Sequence, residues 1–401
     1  MNPTTDSNIL RGATLGSHIE IVRNQFMPRE IVLMSSNVDA LATLVDESVR
    51  ASRDGVRYFI EPTSGVLAKA KNKRHHIVFG RRGSGKSSLL QKVASDLTIN
   101  RTPIAFVDLE SFKGHSYPDV LVSILIKSIS EVKGTNVWLK VGTIRHRSIW
   151  YTYGDPPIGM KLGDDADEID LDVTLEKYEP TRIFLQRILA QFAKIAGVTL
   201  NDILADGARD RLVLASGGVA RDFLTIFAQS LIVARDRIEL GNLTRGEKIG
   251  AEDVNIAAGH QGQFKEEDFS RDSGEDRDRL LSEFSNIYDF CLQVNANCFL
   301  VEKDISSSET SSIDELVDLK LLHRARSRVT IRHRNRKGRL YDAFMLDLSR
   351  YTGERARRNF ELVKFWGPDA EDSLRRATLI FLERPITTKD NDQLPEPGNL
   401  E

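Results

Sequence analysis

The spacing of apolar positions changes several times along the chain, and each change predicts an element. The first thirty or so residues are polar and aperiodic, which predicts a flexible arm over residues 1–36. From Asn37 to Ala51 the apolar positions Val38, Leu41, Leu44 and Val45 recur at helical spacing, with Asn37 as the cap. A basic stretch, Lys69 to Arg74, then leads into His75, His76, Ile77, Val78 and Phe79, a short apolar run that ends at Gly80 and predicts a buried strand. Ser87 to Leu97 follows as a helix with Leu89, Leu90 and Val93 inward. Thr102 to Leu109 is expected as a second buried strand, Asp119 to Val132 as a second amphipathic helix, and Val137 to Ile144 as a third strand. Strands alternating with helices predict an α/β fold with a parallel sheet covered on both faces.

Beyond an acidic loop (GDDADEIDLD), Pro180 to Ala196 repeats Phe184, Ile188 and Phe192 at intervals of four, with Pro180 at its start and Gly197 at its end. Another helix is expected to stop at Ser216, Gly217 and Gly218. Val219 to Arg235 restarts with Phe223, Leu224, Phe227 and Leu231 on one stripe. The pattern divides the chain into a nucleotide-binding unit (37–175), a helical lid (176–240), a linker with a short helix at Ala251 to Ala258 (241–275), a module of two helices and a hairpin (276–355), and a C-terminal helix and tail (356–401). In that module the helices are expected at Leu280 to Val294 and Ser312 to Leu322, and the hairpin strands at Arg328 to Ile331 and Leu340 to Leu348.

Composition narrows the classes. A chain with 40% hydrophobic and 28% charged residues and a formal net charge of −2 matches a globular protein and excludes collagenous, wholly disordered and polyanion-coating types. Two cysteines, Cys291 and Cys298, are too few for a disulfide framework and fit no common zinc spacing, so both are expected as small buried groups in a reducing, cytoplasmic setting. No basic, apolar leader and no run of about 18 apolar residues is present, so no membrane association is expected. His75 and His76 lack further ligands and are expected to belong to the start of their strand.

One motif carries chemistry. Gly80-Arg81-Arg82-Gly83-Ser84-Gly85-Lys86-Ser87 fits GxxxxGK[ST], with a predicted strand before it and a helix after it. Glycines let backbone amides converge on phosphate oxygens, and the opening helix adds unpaired donors and a positive dipole end. The motif predicts that residues Gly80 to Ser88 bind ATP or GTP, with Lys86 reaching the β and γ phosphates and Ser87 a ligand of Mg²⁺. Hydrolysis needs a metal-side acid and a group that orients water. Asp108 (metal) and Glu110 (water), at the end of the strand FVDLE, are the candidates. The rival reading makes that strand a neighbour whose polar end only caps the sheet.

Together with the lid opening SGGVARDF and the strand running into TIRHR, these residues resemble AAA+ ATPases, most closely the branch with origin-recognition-type initiators and STAND-type signalling ATPases. The resemblance spans roughly residues 55 to 350. It implies a P-loop NTPase sheet, a helical lid, ATP with Mg²⁺, and a nucleotide-dependent conformational switch. It places sensor 2, a nucleotide-contacting arginine, at Arg221, and sensor 1 at Thr143 or Arg145. It also implies homo-oligomers or protein partners. The chain departs from the pattern in one respect. Only Glu131 to Asn136 separate the second helix from the third strand, leaving no room for the Walker B strand. Turnover is therefore left open.

The module after residue 276 resembles a winged-helix domain. From Lys320 to Arg339 it carries nine basic residues (Lys320, Arg324, Arg326, Arg328, Arg332, Arg334, Arg336, Lys337 and Arg339) and no acid, a local charge of +9. Two readings follow. Such a hairpin suits a DNA backbone, making the protein a nucleic-acid-binding regulator with a structural nucleotide, or it is a solvated wing paired with Asp314, Glu315 and Asp318 or with the loop at 164–172. A small-molecule kinase shares the glycine-rich loop but has no evident use for the lid and the wing.

Overall fold

The computed structural model describes residues 31–52, 54–100, 102–106, 136–145, 151–152, 158–272, 276–303, 305, 307–336, 338–352, 360–367 and 369–384. It is a mixed α/β fold with a three-stranded parallel sheet, a helical block and a four-stranded mixed sheet.

The first helix, α1 (Ser36–Ser48), buries Val38, Leu41 and Val45, the stripe read from the sequence. It begins one residue early, with Ser35 in the cap position, and Asn37 instead reaches the carbonyl of Gly197 through Nδ2 at 3.5 Å. The end of the expected arm is anchored, because Leu33 is fully buried. A short helix, α2 (Val66–Lys71), precedes β1 (His76–Phe79), all of whose residues are buried. The glycine-rich loop follows, then α3 (Lys86–Ile99), which seats Leu89 and Val93 on the sheet.

β1 is the central strand. β2 (Lys140–Thr143) pairs with it in parallel on one side, Phe79 facing Thr143. After a small hairpin, β3 (Tyr151–Thr152) with β4 (Ile158–Gly159), the strand β5 (Asp167–Asp170) pairs in parallel on the other side, Phe79 facing Asp170. The acidic loop thus contains a strand that periodicity could not reveal. As one flank of the described sheet it buries a single apolar side chain, Ile169. The expected strand at Thr102 to Leu109 fails over its described part, since residues 102–106 are exposed and join no sheet among the described residues, with Ile104 and Phe106 40% and 45% exposed. Its remainder and the helix expected at Asp119 to Val132 lie outside the described residues.

The helical block holds α4 (Tyr178–Ala196), α5 (Leu200–Ile203), α6 (Asp206–Ser216), α7 (Ala220–Glu239) and α8 (Ala251–Asp272). α8 runs fourteen residues past the short helix expected there, so the stretch read as a linker packs against α6 and α7 instead. Its anchor is the buried Asp253, which accepts from Arg237 Nε at 3.1 Å and also meets Arg245.

The C-terminal module is α9 (Arg277–Val294), β6 (Cys298–Glu302), α10 (Ser307–Asp318), β7 (Leu322–Val329), β8 (Tyr341–Leu346), α11 (Ala370–Leu374) and β9 (Ile380–Leu382). Its strand order is β7-β8-β6-β9. The expected hairpin exists, but β7 starts at Leu322 rather than Arg328, and β6 was not anticipated. Both expected helices exist as α9 and α10, and β6 lies between them. Part of the expected tail joins the sheet as β9, parallel to β6. Cys291 and Cys298 are fully buried, and burial pushes the Cys291 thiol up to about 12.

Among the described residues, three apolar cores result. Two small ones flank the parallel sheet, one around Ile77, Phe79, Val141 and Met160, the other around Val78, Leu89, Val93, Ile169 and Leu171. The third runs without a break from Leu33 and α1 through α4, α6, α7 and α8 into the C-terminal sheet.

Candidate functional site

The register of the parallel sheet brings Phe79, Thr143 and Asp170 to one edge, and the loop Gly80–Gly85 leaves from its centre. This is the edge at which open α/β sheets bind ligands. α3 opens there with Gly85 in its cap position, and the first bond along the helix is from the Leu89 amide to the Gly85 carbonyl at 2.9 Å. The amides of Lys86, Ser87 and Ser88 precede that bond and have no partner within the helix, which makes this end a donor cluster.

The loop is braced from two directions. Asp172, just past β5, accepts through Oδ1 from the Arg81 amide at 3.0 Å and from Arg81 Nε at 3.1 Å. Arg81 Nη2 also donates to the carbonyls of Val173 at 3.0 Å and Gly217 at 3.1 Å. Arg81 is 2% exposed, so of the residues expected on the phosphates it is the one turned away, and its guanidinium braces the loop from behind. On the other side the Arg221 amide donates to the carbonyl of Gly83 at 3.3 Å. Gly83 has φ +91°, and a Cβ there would lie 2.9 Å from Arg221 Cβ and 3.0 Å from Val219 Cγ1. A side chain at this position would force the lid helix off the loop.

Lys86 curls back onto its own loop, donating to the carbonyls of Gly80 at 2.6 Å and Arg81 at 3.0 Å. Burial pushes its ammonium down to about 8. Asp172 and Asp318 oppose that fall, and Arg221 and Lys320 add to it. The hydroxyl of Ser84 is buried without a hydrogen-bond partner among the described residues.

These groups open onto a cleft of about 220 Å³. One half is the loop Arg82–Ser88 with Arg221; the other is apolar, built by Tyr58, Ile60, Phe184, Phe192 and Leu224. Tyr58 meets Phe192 edge to face at 5.5 Å. One wall comes from residues 48–52 and 55–62, of which only the first four, to Ala51, fall in an element expected from the sequence. Its apolar residues follow neither α-helical nor strand spacing, because beyond α1 its one regular piece among the described residues is a short 3₁₀ helix, Asp54–Tyr58.

The remaining candidates separate. Arg221 stands where the sequence placed it, on the first turn of α7 at the cleft, with Nε 3.3 Å from the carbonyl of Val49. Thr143 closes β2 and is buried. Arg145 pairs with Glu168 and with Asp170, the latter at 3.3 Å, and lies over the Phe79 ring at 4.2 Å. It lines a second, charged cleft of about 720 Å³ together with Asp172, Asp314, Asp318 and Arg324. Asp108 and Glu110 lie outside the described residues. For Mg²⁺ the described residues offer the Ser87 hydroxyl at the cleft, and among them no group of three acids, histidines or cysteines could hold a metal.

The wing is not a bare cationic stripe. Lys320 bonds both oxygens of Asp222 at 3.0 Å, Arg324 pairs with Asp314, Arg336 grips Glu383 at 2.7 Å and 2.9 Å, Arg339 lies 3.3 Å from Glu302, and the exposed Arg332 meets Asp372 at 3.4 Å. Asp314 was among the acids expected to pair with the wing. Glu383, Glu302, Asp222 and Asp372 were not, because their proximity depends on the tertiary fold.

His76 sits in β1 at the opposite end of the sheet. Its Nδ1 is 2.7 Å from Lys140 Nζ, and burial, aided by Lys140, pushes it down to about 4. His75 Nδ1 accepts from the Leu139 amide at 3.1 Å. Both histidines belong to the sheet. No protein-family model matches this chain, and no curated protein matches it as a relative.

Proposed function

We propose that the chain binds ATP at the glycine-rich loop and acts as a nucleotide-dependent conformational switch. The observation that carries this reading is the cleft itself, in which one polar half gathers the opening amides of α3, Lys86 and Arg221, and one apolar half fits a planar base. Two further observations support the reading: Gly83 lets Arg221 and Val219 close up against the loop, and the Ser84 hydroxyl is an unspent polar group among the described residues. None of the described residues lining the cleft is acidic. Ser87 would hold Mg²⁺, which supplies charge neutralisation between phosphate oxygens when bound.

The strand order β2-β1-β5, the loop after the central strand and an arginine on the lid's first turn support the AAA+ and STAND-like reading of the fold. Turnover stays open, with Asp108 and Glu110 as its candidate residues. The pairing of the wing weighs against a DNA-binding regulator.

Calorimetric titration with ATP and magnesium tests the reading. Lys86→Ala should lower affinity by ~10-fold to ~100-fold, since a charge-assisted bond is worth roughly 1.5–3 kcal/mol. Unchanged affinity in that variant would reject it. Phosphate release in the same samples decides whether binding leads to turnover.

A further inference from the structure

The acids that discharge the wing come from two different places. Toward the base of the hairpin its surroundings supply them, Asp222 on α7 for Lys320 and Asp314 on α10 for Arg324. From Arg332 onward the partners change. Arg332 meets Asp372 on α11, Arg336 grips Glu383 just past β9, and Arg339 donates to the Arg384 carbonyl at 2.8 Å and lies 3.9 Å from Glu383. These partners all belong to residues 369–384, a segment that follows the hairpin in the chain. Arg339 also meets Glu302 on β6, which the same segment holds through Arg384 Nε and Nη2 at 3.1 Å and 2.7 Å.

At Glu383 the contact has the form of a phosphate site with a carboxylate in it. Arg336 Nε and Nη2 reach its two oxygens at 2.9 Å and 2.7 Å, and the Tyr341 hydroxyl donates to one of them at 2.9 Å. Arginine offers the same fork to a phosphate, so Glu383 and a phosphate compete for the same donors. The hydrogen bond from Arg336 holds the Glu383 carboxyl below its usual range, which keeps the competitor charged.

The segment is anchored at one side and loose at the other. Leu374 and Leu379 are buried, and the Phe381 ring meets Phe290 and Phe299 edge to face at 5.3 Å and 5.6 Å. Yet β9 is a strand of three half-buried residues at the end of the sheet among the described residues, and its register with β6 shifts between Leu300 and Val301. So short an edge strand has few ladder bonds to lose. The pair of Arg332 with Asp372 is 72% and 66% exposed and adds little to the hold.

We infer that residues 369–384 are an autoinhibitory strap: by supplying Asp372 and Glu383 to Arg332, Arg336 and Arg339, they keep the wing tip from the phosphodiester backbone of a nucleic acid, which takes those arginines only when the strap is displaced. The cationic stripe in the sequence and the neutral wing in the fold are then two states of one surface. The device needs nothing from the glycine-rich loop.

Fluorescence anisotropy with a labelled DNA duplex over a salt series compares the parent with Asp372→Asn/Glu383→Gln, a variant that keeps β9 and its apolar anchors. The variant should bind at least ~10-fold more tightly at low salt, and its slope of log affinity against log salt should steepen by roughly 2, about one unit for each arginine returned to a phosphate. Adding Arg332→Ala and Arg336→Ala should bring both back to the parent values. Unchanged affinity and slope in a variant that melts like the parent would overturn the inference. An equal gain in Asp46→Asn/Asp164→Asn, exposed acids on α1 and in the acidic loop, would overturn it too, since net charge alone would then explain the effect. Should the first variant fail to fold, the parent at saturating duplex decides: amide hydrogen exchange at residues 380–382 should quicken on binding, and unchanged protection there would reject the strap.

Discussion

Asp172 and Arg81, 91 residues apart, meet behind the glycine-rich loop, Asp172 Oδ1 accepting both the Arg81 amide and its Nε. One carboxylate oxygen thereby fixes the backbone at the start of the loop and the guanidinium that reaches the helical block.

Asp172→Ala should accordingly weaken ATP binding without touching the nucleotide. It leaves the Arg81 guanidinium buried with only two carbonyl partners, a loss of ~1–3 kcal/mol. It also removes the foremost anion supporting the Lys86 charge. The expected outcome is a ~10-fold lower affinity and a Lys86 titration that moves to lower pH, followed by calorimetry across a pH series. An unmoved titration would show that Asp172 serves stability alone.

The pH dependence of the parent protein follows from Lys86. With the free ammonium held near 8 and the phosphate-bound one restored upward, binding above pH 8 must take up a proton. Affinity should be flat below pH 7 and fall as pH rises through 8. Lys86→Arg, whose cation does not titrate, should show no fall in this window. Binding heats compared in two buffers of different ionisation enthalpy measure the proton directly.

Gly83→Ala should separate the two halves of the cleft. The left-handed φ of +91° costs a non-glycine residue ~1–2 kcal/mol, and the added methyl presses on Arg221 and Val219. Melting temperature should fall modestly and ATP affinity more, with Arg221 the displaced partner. A double variant with Arg221→Ala should then lose less than the sum of the two changes.

Acid should destabilise the fold before its ordinary carboxylates protonate. Burial holds His76 near 4, and burial also lowers His323 although Asp347 pulls it upward. Both folded values lie below the unfolded 6.5, so the unfolded chain binds more protons and stability drops as pH falls below 6.5. His76→Gln should flatten part of that slope in urea unfolding between pH 4.5 and 7.

The wing gives a negative expectation for DNA. With Lys320, Arg324, Arg336 and Arg339 neutralised by fixed acids, duplex binding at low salt should be weak and its salt slope shallow. Fluorescence anisotropy over a salt series measures both. A steep slope abolished by Arg328→Ala and Arg332→Ala would restore the DNA-binding reading.

The local elements that carry the site were legible from periodicity and spacing. β1 between His75 and Gly80, the loop with Lys86, and the α7 stripe behind Arg221 each announce themselves within twenty residues. What escaped is set by distance in the chain. Asp170 and Asp172 look like a solvated acidic run until pairing with β1 makes them the far edge of a sheet. β7 hides its strand character because its alternating Leu322, Arg324 and Arg326 extend from what reads as the end of a helix. The apolar wall at Tyr58 and Ile60 has neither α-helical nor strand period, since its regular piece is one short 3₁₀ helix. Arg81, inside the motif, could not be told from a phosphate ligand, for only the fold shows Asp172 behind it.

The two carbonyls that hold the Lys86 ammonium set a threshold for whatever arrives. An incoming anion does not meet a bare cation; it must outbid Gly80 and Arg81 for one already solvated by the protein. A lone phosphate gains little from that exchange, whereas a longer polyanion can reach Arg221 in the same step. On the ATP reading, discrimination by anion length would then be built into the resting posture of a single side chain.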